Sequence, residues 1–322
     1  MNHIYRLVWN KITNTWVCCA ENVKGRSKRS GGVSASSIRS ARDGAVKFGT
    51  GGGLFALTCI AVALAFAGVA SAANLPTGGN VVAGAGTISQ SGNVMTITQG
   101  TTRMAADWQS FSIGQGSTVN FIQPSASSVA LNRVLGADVS VIQGALHANG
   151  QVFLINPNGV MFTPTAQVNV GGITASTLNI SNADFMAGSY KFAGASSNAI
   201  INQGNITTAN GGTIALIAAK ITNDGSLTAN GGNVLLGAGS KVTLDLGGPV
   251  KLLVESAAID ALIQNGGAIK ADGGTVMLTS HAAGDLIATV INNTGVIEAQ
   301  TLATGEKGQI FFLVTWSMTA SW

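Results

Sequence analysis

Few residues in this chain are equipped for chemistry. Beyond residue 74 the only histidines are His147 and His281, and the three cysteines, Cys18, Cys19 and Cys59, all precede residue 73. A zinc site needs converging thiolate, imidazole or carboxylate ligands; with no thiolate and sparse acids, no metal or cofactor and no disulfide framework is expected. Asp245, Asp260, Asp272 and Asp285 would bind calcium or sugar if gathered on one face of a stacked sheet, but they fall singly or at corners, where Asp is a turn former. No nucleophile elbow supports Ser-His-Asp hydrolysis, and no glycine pair is followed by the Lys-Ser/Thr of a phosphate loop. His147 aligns with Thr228 and Lys270 of later segments and reads as a surface position. Sequons at Asn179, Asn205 and Asn292 are at the chance level for an Asn- and Thr-rich chain. No catalytic residue is assigned, and an enzyme is not expected.

What remains is turn chemistry, concentrated in Asn156-Pro157-Asn158-Gly159. Pro157 fixes φ, and Asn-Gly accommodates a tight reversal. The flanking run Gln151-Val152-Phe153-Leu154-Ile155 and Val160-Met161-Phe162 is apolar. The tetrad therefore reads either as a corner between two strands or as a surface met by a partner, and both readings stay open at this level.

The elements that would position it repeat along the chain. Segments beginning at Gln143, Gln203, Asp224 and Asn265 each place short aliphatic runs around an Asn-Gly, Asn-Gly-Gly or Asp-Gly-Gly corner. The Ala-Asn-Gly-Gly corners at 209 and 229 are 20 residues apart, and the Ala-Asp-Gly-Gly corner at 271 follows 42 later, a gap that reads as two further turns. A period near 20 with such corners is the signature of a solenoid, because one rung offers only about two inward residues, such as Ile206 and Ile214, and must stack to bury them. Gly and Asn at the corners are expected to take the positive φ that the corners need. No segment keeps a capped 3.6-residue period over three turns, so almost no helix is expected beyond residue 74. The fold expected is all-β, a right-handed parallel β-helix; a sandwich or barrel would show strands every 8–12 residues without corners near 20.

Composition agrees. Charged residues make up 9% and hydrophobic residues 46%, which excludes disorder. The formal charge of +4 is uneven: residues 1–49 carry nine basic and two acidic side chains, whereas residues from Asn74 onward carry eight basic and eleven acidic. The basic balance belongs to the front end, and the rest has no basic run to suggest a nucleic-acid partner. Residues 54–70 form an uncharged apolar run preceded by Arg42 and Lys47 and followed by Ala70-Ser71-Ala72-Ala73. Basic, apolar and small-residue regions in that order make a secretory signal with cleavage at Ala70, Ala72 and Ala73. A membrane anchor is the other reading, but the run is at the short limit for spanning and has no positive flank after it.

Two stretches carry a family resemblance. Met1 to Lys11, followed by Trp16-Val17, resembles the extended signal-peptide region of large Gram-negative exported proteins. The Asn156–Gly159 tetrad, with Ala130-Leu131-Asn132-Arg133-Val134 and Ser140-Val141-Ile142-Gln143-Gly144 before it and Ala166-Gln167-Val168-Asn169-Val170-Gly171-Gly172 after it, resembles the two-partner-secretion (haemagglutination-activity) domain of filamentous haemagglutinin-type exoproteins. The resemblance spans roughly residues 74–300 and implies an N-terminal cap at Leu75 to Val94. It also implies a chain that leaves by the general secretory translocon, crosses the periplasm unfolded, is recognised by an outer-membrane β-barrel transporter and ends secreted or at the cell surface. The organisation expected is a signal region at 1–73 (extension 1–25, linker 26–53, apolar run and cleavage site 54–73), a β-helix at 74–310, and an aberrant tail at 311–322 from truncation or frameshift. The cargo implied is a surface adhesin, with a contact-dependent toxin, a haem-acquisition exoprotein or a β-helical carbohydrate-active protein as alternatives. Contacts with host surfaces or glycans would belong to regions downstream.

Overall fold

The computed structural model describes residues 5–10, 15–20, 75–247, 251–283, 291–300 and 308–317. The linker, the apolar run and the cleavage site expected at 26–73 lie outside them. The chain divides into two units, 1–63 and 64–322. In the first, strands Tyr5–Asn10 and Thr15–Ala20 pair antiparallel as a hairpin.

The second unit is a parallel β-helix of three sheets. The first sheet stacks Val94–Gln99, Thr118–Ile122, Ala145–Ala148, Gln167–Val170, Asn205–Thr208, Ser226–Thr228, Ala268–Lys270 and Val296–Glu298. The second stacks Arg103–Trp108, Val129–Val134, Gln151–Ile155, Gly172–Ser176, Thr213–Ala218, Asn233–Ala238, Thr275–Ala283 and Gln309–Ser317. The third holds six strands, from Ser140–Ile142 to Ile291–Asn293. Register joins like to like: Val119, Leu146, Val168, Ile206, Leu227 and Ile269 form one inward column, all of it buried. Burying an aliphatic side chain contributes about 1.5–3 kcal/mol, so each added rung repeats the same apolar gain.

The N-terminal end is capped. Asn80–Ala83 lies antiparallel on Arg103–Trp108 and Gly86–Ser91 antiparallel on Val94–Gln99, and Val81 and Ile88 pack on the core. These reversed strands cover an end whose backbone would otherwise invite edge pairing. At the other end, Gln309–Ser317 pairs with Thr275–Ala283 over nine residues; the boundary expected at 310 falls inside this strand.

Two expectations are corrected. The 42-residue spacing is one turn, not two: Asn233 pairs directly with Thr275. The surplus folds outward as strands Lys241–Leu244 and Leu252–Ser256, which with Tyr190–Ala193 form a three-stranded antiparallel sheet. This sheet lies on the outer face of the second sheet and builds a second core of Phe153, Phe185, Phe192, Leu235, Val242 and Leu252 among others. The second correction concerns the corners. Asn does not take the positive φ; Gly211, Gly231 and Gly273 do, at 81°, 64° and 74°, and among the described residues the sole non-glycine with positive φ is Asp260 at 56°. The second glycine of each pair serves close approach, since a Cβ on Gly232 would overlap the carbonyl oxygen of Gly212.

Among the described residues one helix, Asn182–Ala187, interrupts the strands. Ser181 caps it, its Oγ accepting from Asp184 N–H at 3.0 Å, and Gly188 ends it with φ 77°. Phe185 is its buried anchor.

Candidate functional site

The Asn156–Gly159 tetrad connects Gln151–Ile155 of the second sheet to Val160–Phe162 of the third. Its backbone closes as a tight turn, with Gly159 N–H donating to Asn156 O at 3.0 Å. Gly159 takes φ 113°, a value that a Cβ disfavours. Asn156 is fully buried. Its Nδ2 donates to Asp138 O and to Ser140 Oγ, both at 2.9 Å. Its Oδ1 accepts from Asn158 N–H at 2.9 Å and from Asn158 Nδ2 at 3.1 Å. Its backbone N–H donates to Ser176 O at 2.9 Å. Every polar atom of Asn156 is thereby committed inside the fold.

The Asn158 side chain and the Pro157 carbonyl tie the turn to neighbouring rungs. Asn158 Nδ2 donates to Gly136 O at 2.8 Å. The Pro157 carbonyl accepts from Ser196 Oγ at 2.6 Å and from Asn198 Nδ2 at 2.9 Å. Segment 136–140 lies in the rung before the tetrad, and Ser176 and residues 196–198 lead into the rung after it. The tetrad thus pins three successive layers at one corner. Within the turn Pro157 is exposed and Asn158 half-buried.

The neighbouring sequence blocks are structural in the same way. Asn132 is buried, accepting from Trp108 Nε1 at 3.0 Å and donating to Phe153 O at 3.3 Å. Arg133 bonds Ile180 O at 2.6 Å, Asn182 Oδ1 at 2.8 Å and Asn179 Oδ1 at 3.0 Å, and pairs with Asp107 at 3.3 Å. It therefore fastens the helical excursion to the solenoid.

The residues screened for chemistry do not converge. His147 sits in an outward column with Asn120, Asn169, Thr228 and Lys270, as its alignment implied. His281 is half-buried, with neither ring nitrogen hydrogen-bonded. Asp245 Oδ1 accepts from Gly247 N–H at 2.8 Å, and Asp260 pairs with Lys220 at 3.4 Å. The carboxyl of Asp272 is held below its ordinary value, first by the backbone N–H of Gln300 and then by Lys270. Asp285 lies outside the described residues. Among the described residues no three His, Cys, Asp or Glu side chains come together as a metal site. A concavity of about 580 Å³ lies between the second sheet and the antiparallel sheet, lined by Arg103, Tyr190 and Asp245 among others. Arg103 is committed there, donating to Tyr190 Oη at 2.8 Å.

Sequence reasoning missed the buried asparagine column Asn202, Asn223 and Asn265. Its signal was available as Asn-x-Gly repeated at 202, 223, 265 and 293.

The geometry defines a class, a capped parallel β-helix whose marked turn is satisfied from within. Residues 67–312 match the TPS secretion domain, and residues 1–49 match the Extended Signal Peptide of Type V secretion system; the chain belongs to the TPS secretion domain family. It is 52% identical over 111 residues to the Heme/hemopexin-binding protein of Haemophilus influenzae strain Rd, covering 34% of this chain and 12% of that protein. A second Heme/hemopexin-binding protein of Haemophilus influenzae is 43% identical over 127 residues, 39% of this chain and 14% of that one. The chain thus matches only about an eighth of the length of these relatives. Among solved structures, the HMW1 secretion domain from Haemophilus influenzae superposes with a TM-score of 0.62 at 32% identity, covering 70% of this chain and 67% of that one. The chain is a secretion-targeting domain of a Gram-negative exoprotein, exported by way of the periplasm to the cell surface. Membership of the family implies recognition by an outer-membrane transporter partner.

Proposed function

We propose that residues 1–73 carry the chain to the general secretory translocon and are removed at the Ala70, Ala72, Ala73 exit, and that residues 74–310 then direct export through a β-barrel transporter. The chain crosses the periplasm unfolded and folds outside. A solenoid suits this route because its contacts lie between neighbouring rungs, so folding advances as chain emerges and needs no other energy source. The tetrad Asn156, Pro157, Asn158, Gly159 serves the pathway through the turn it makes. The observation that carries this reading is the complete internal commitment of Asn156. No reaction, cofactor or nucleic acid is assigned to the domain, and contacts with host surfaces or glycans belong to other parts of the exoprotein.

Of the cargoes considered, a haem-acquisition exoprotein has more support than an adhesin or a toxin, because both curated relatives are named as Heme/hemopexin-binding proteins. Binding of the whole secreted exoprotein to immobilised hemopexin, with and without haem, tests the cargo; absence of binding returns the adhesin to first place. Secretion of the chain with and without its cognate transporter tests the export reading. Transporter-dependent release of a product starting near Asn74 is expected. Release without any transporter, or a folded product held in the periplasm beside a proven partner, overturns it.

A further inference from the structure

The third sheet contains a polar column inside an apolar solenoid. Its inward position is filled by Ile142 and Phe162 in the early rungs and then by Asn202, Asn223, Asn265 and Asn293. Asn202 Nδ2 donates to Asn223 Oδ1 at 2.8 Å, Asn223 Nδ2 to Asn265 Oδ1 at 2.6 Å, and Asn265 Nδ2 to Asn293 Oδ1 at 2.6 Å. The first three are fully buried. From Asn202 to Asn265 each side chain therefore points its amide N–H toward the next rung, and from Asn223 to Asn293 each offers its oxygen to the previous one.

The main chain runs in the complementary sense, the earlier rung accepting from the later one. Asn202 O accepts the N–H groups of both Asp224 and Gly225, Asn223 O those of Gly266 and Gly267, and Asn265 O those of Thr294 and Gly295, all between 2.8 and 3.0 Å. The glycine two places after each Asn has no room for a side chain: a Cβ on Gly225, Gly267 or Gly295 would overlap the carbonyl oxygen of the glycine one rung earlier. A finished rung thus presents one amide donor, one carbonyl acceptor and one steric stop to the rung that follows.

These later rungs are the ones that need such a reader. Their strands are short and similar, Ile200-Ile201-Asn202, Ile221-Thr222-Asn223 and Ile263-Gln264-Asn265. In a parallel stack a shift of two residues returns the same face to the core, so alternation alone does not exclude it. With Asn in the column, that shift sets an isoleucine over a buried amide and leaves its donor and acceptor unpaired, which disfavours the shifted alignment by roughly tenfold or more per group. The earlier rungs have other determinants of register, among them the tetrad turn and the unlike side chains Ile142 and Phe162.

We propose that the Asn-x-Gly corners at 202, 223, 265 and 293 are a register-reading device: each completed rung admits the next in one alignment, and does so in the direction in which the chain is made. The proposal concerns folding of the solenoid and holds whatever cargo the domain leads.

The test uses disulfide trapping in the refolded full chain, with linked peptides mapped by mass spectrometry so that Cys18, Cys19 and Cys59 are told apart from introduced residues. Thr222→Cys with Gln264→Cys reports register within the column, since these residues are direct partners on the outward face. Asn120→Cys with His147→Cys reports an earlier rung in the same way. Each pair is placed in the native background and beside N202V/N223V/N265V, valine being chosen because Ile142 and Phe162 already fill the same column. The expected result is that the 222–264 link falls several-fold in the valine background, with 222 linking instead to a cysteine placed at Leu262, while the 120–147 link keeps its native yield. An undiminished 222–264 link overturns the proposal. Loss of both links together also overturns it, because the column would then support the whole fold rather than the alignment of the rungs it joins.

Discussion

Replacing Asn156 with alanine separates the two ways in which the tetrad can serve export. The substitution removes four side-chain hydrogen bonds, two donated to Asp138 O and Ser140 Oγ and two accepted from Asn158. At about 1 kcal/mol net for each bond, the loss is roughly 3–4 kcal/mol, and the released groups face a site with no solvent access at Asn156. That is a large part of the roughly 5–15 kcal/mol by which a domain is stable. If the tetrad acts through its turn, Asn156→Ala lowers the urea midpoint of the purified domain by an amount matching this figure. Export in the presence of the transporter then falls with it, and both recover together at reduced temperature. The assays are urea denaturation followed by circular dichroism and quantification of released product. An Asn156→Ala domain as stable as the native one but no longer exported refutes the reasoning and assigns the tetrad to direct contact with the transporter.

Other perturbations follow from the same geometry. Gly232→Ala places a Cβ on the carbonyl oxygen of Gly212; proteolysis should show the rungs from Asn233 onward opening, while Gly92→Ala, with nothing near its Cβ but φ 57°, should cost only about 1 kcal/mol or slightly more in a denaturation midpoint. Phe153→Ala empties the centre of the second core, where the ring lies 4.9 Å from Tyr190 and 5.6 Å from Phe185; a loss of about 3–5 kcal/mol and early cleavage within residues 178–198 are expected. Acid should weaken the C-terminal rungs. The Asp272 carboxyl is held low by the Gln300 N–H and then by Lys270, so its contribution is present above the unfolded carboxylate range near pH 4 and is lost as pH falls through the lower folded value. Hydrogen exchange at Lys270 to Gln300 should therefore quicken on acidification, and Asp272→Asn should blunt that response.

The repeat was legible because its causes are local. A corner needs Gly where the chain turns left-handed and again where two backbones meet, so the pairs Gly211-Gly212, Gly231-Gly232 and Gly273-Gly274 recur at three successive rungs regardless of what lies outside. The cap was legible only through family resemblance, since nothing in Gly86 to Ser91 distinguishes an antiparallel strand from another rung. The antiparallel sheet was misread because a 42-residue gap between corners is compatible both with two turns and with one turn plus an excursion. The discriminating signal lay elsewhere, in the strands that the excursion covers. Strands of the first sheet alternate, as in Asn205–Thr208, because one face meets water. Those of the second run unbroken, as in Ile214 to Ala218 and Val152 to Ile155, because both faces are buried. An uninterrupted apolar run inside a solenoid predicts a second layer on its outer face, and the residues between corners are the segments available to supply it.

The same distinction explains why the tetrad was ambiguous from sequence. Asn-Pro-Asn-Gly specifies a turn by its own torsional preferences, but whether its amides face a partner or the protein depends on groups 16 to 22 residues earlier and about 20 to 41 residues later. Gly136, Asp138 and Ser140 occupy the amides from one side; Ser176, Ser196 and Asn198 hold the backbone from the other. None of these partners is adjacent to the tetrad in the chain, and all are brought to it by the stacking of rungs. The turn is therefore completed only after the rung that follows it has docked. In a solenoid that folds rung by rung from its capped end, that makes the tetrad a check on three layers at once, and it places the consequence of losing Asn156 at the stage when the first half of the solenoid must hold before the asparagine column begins at Asn202.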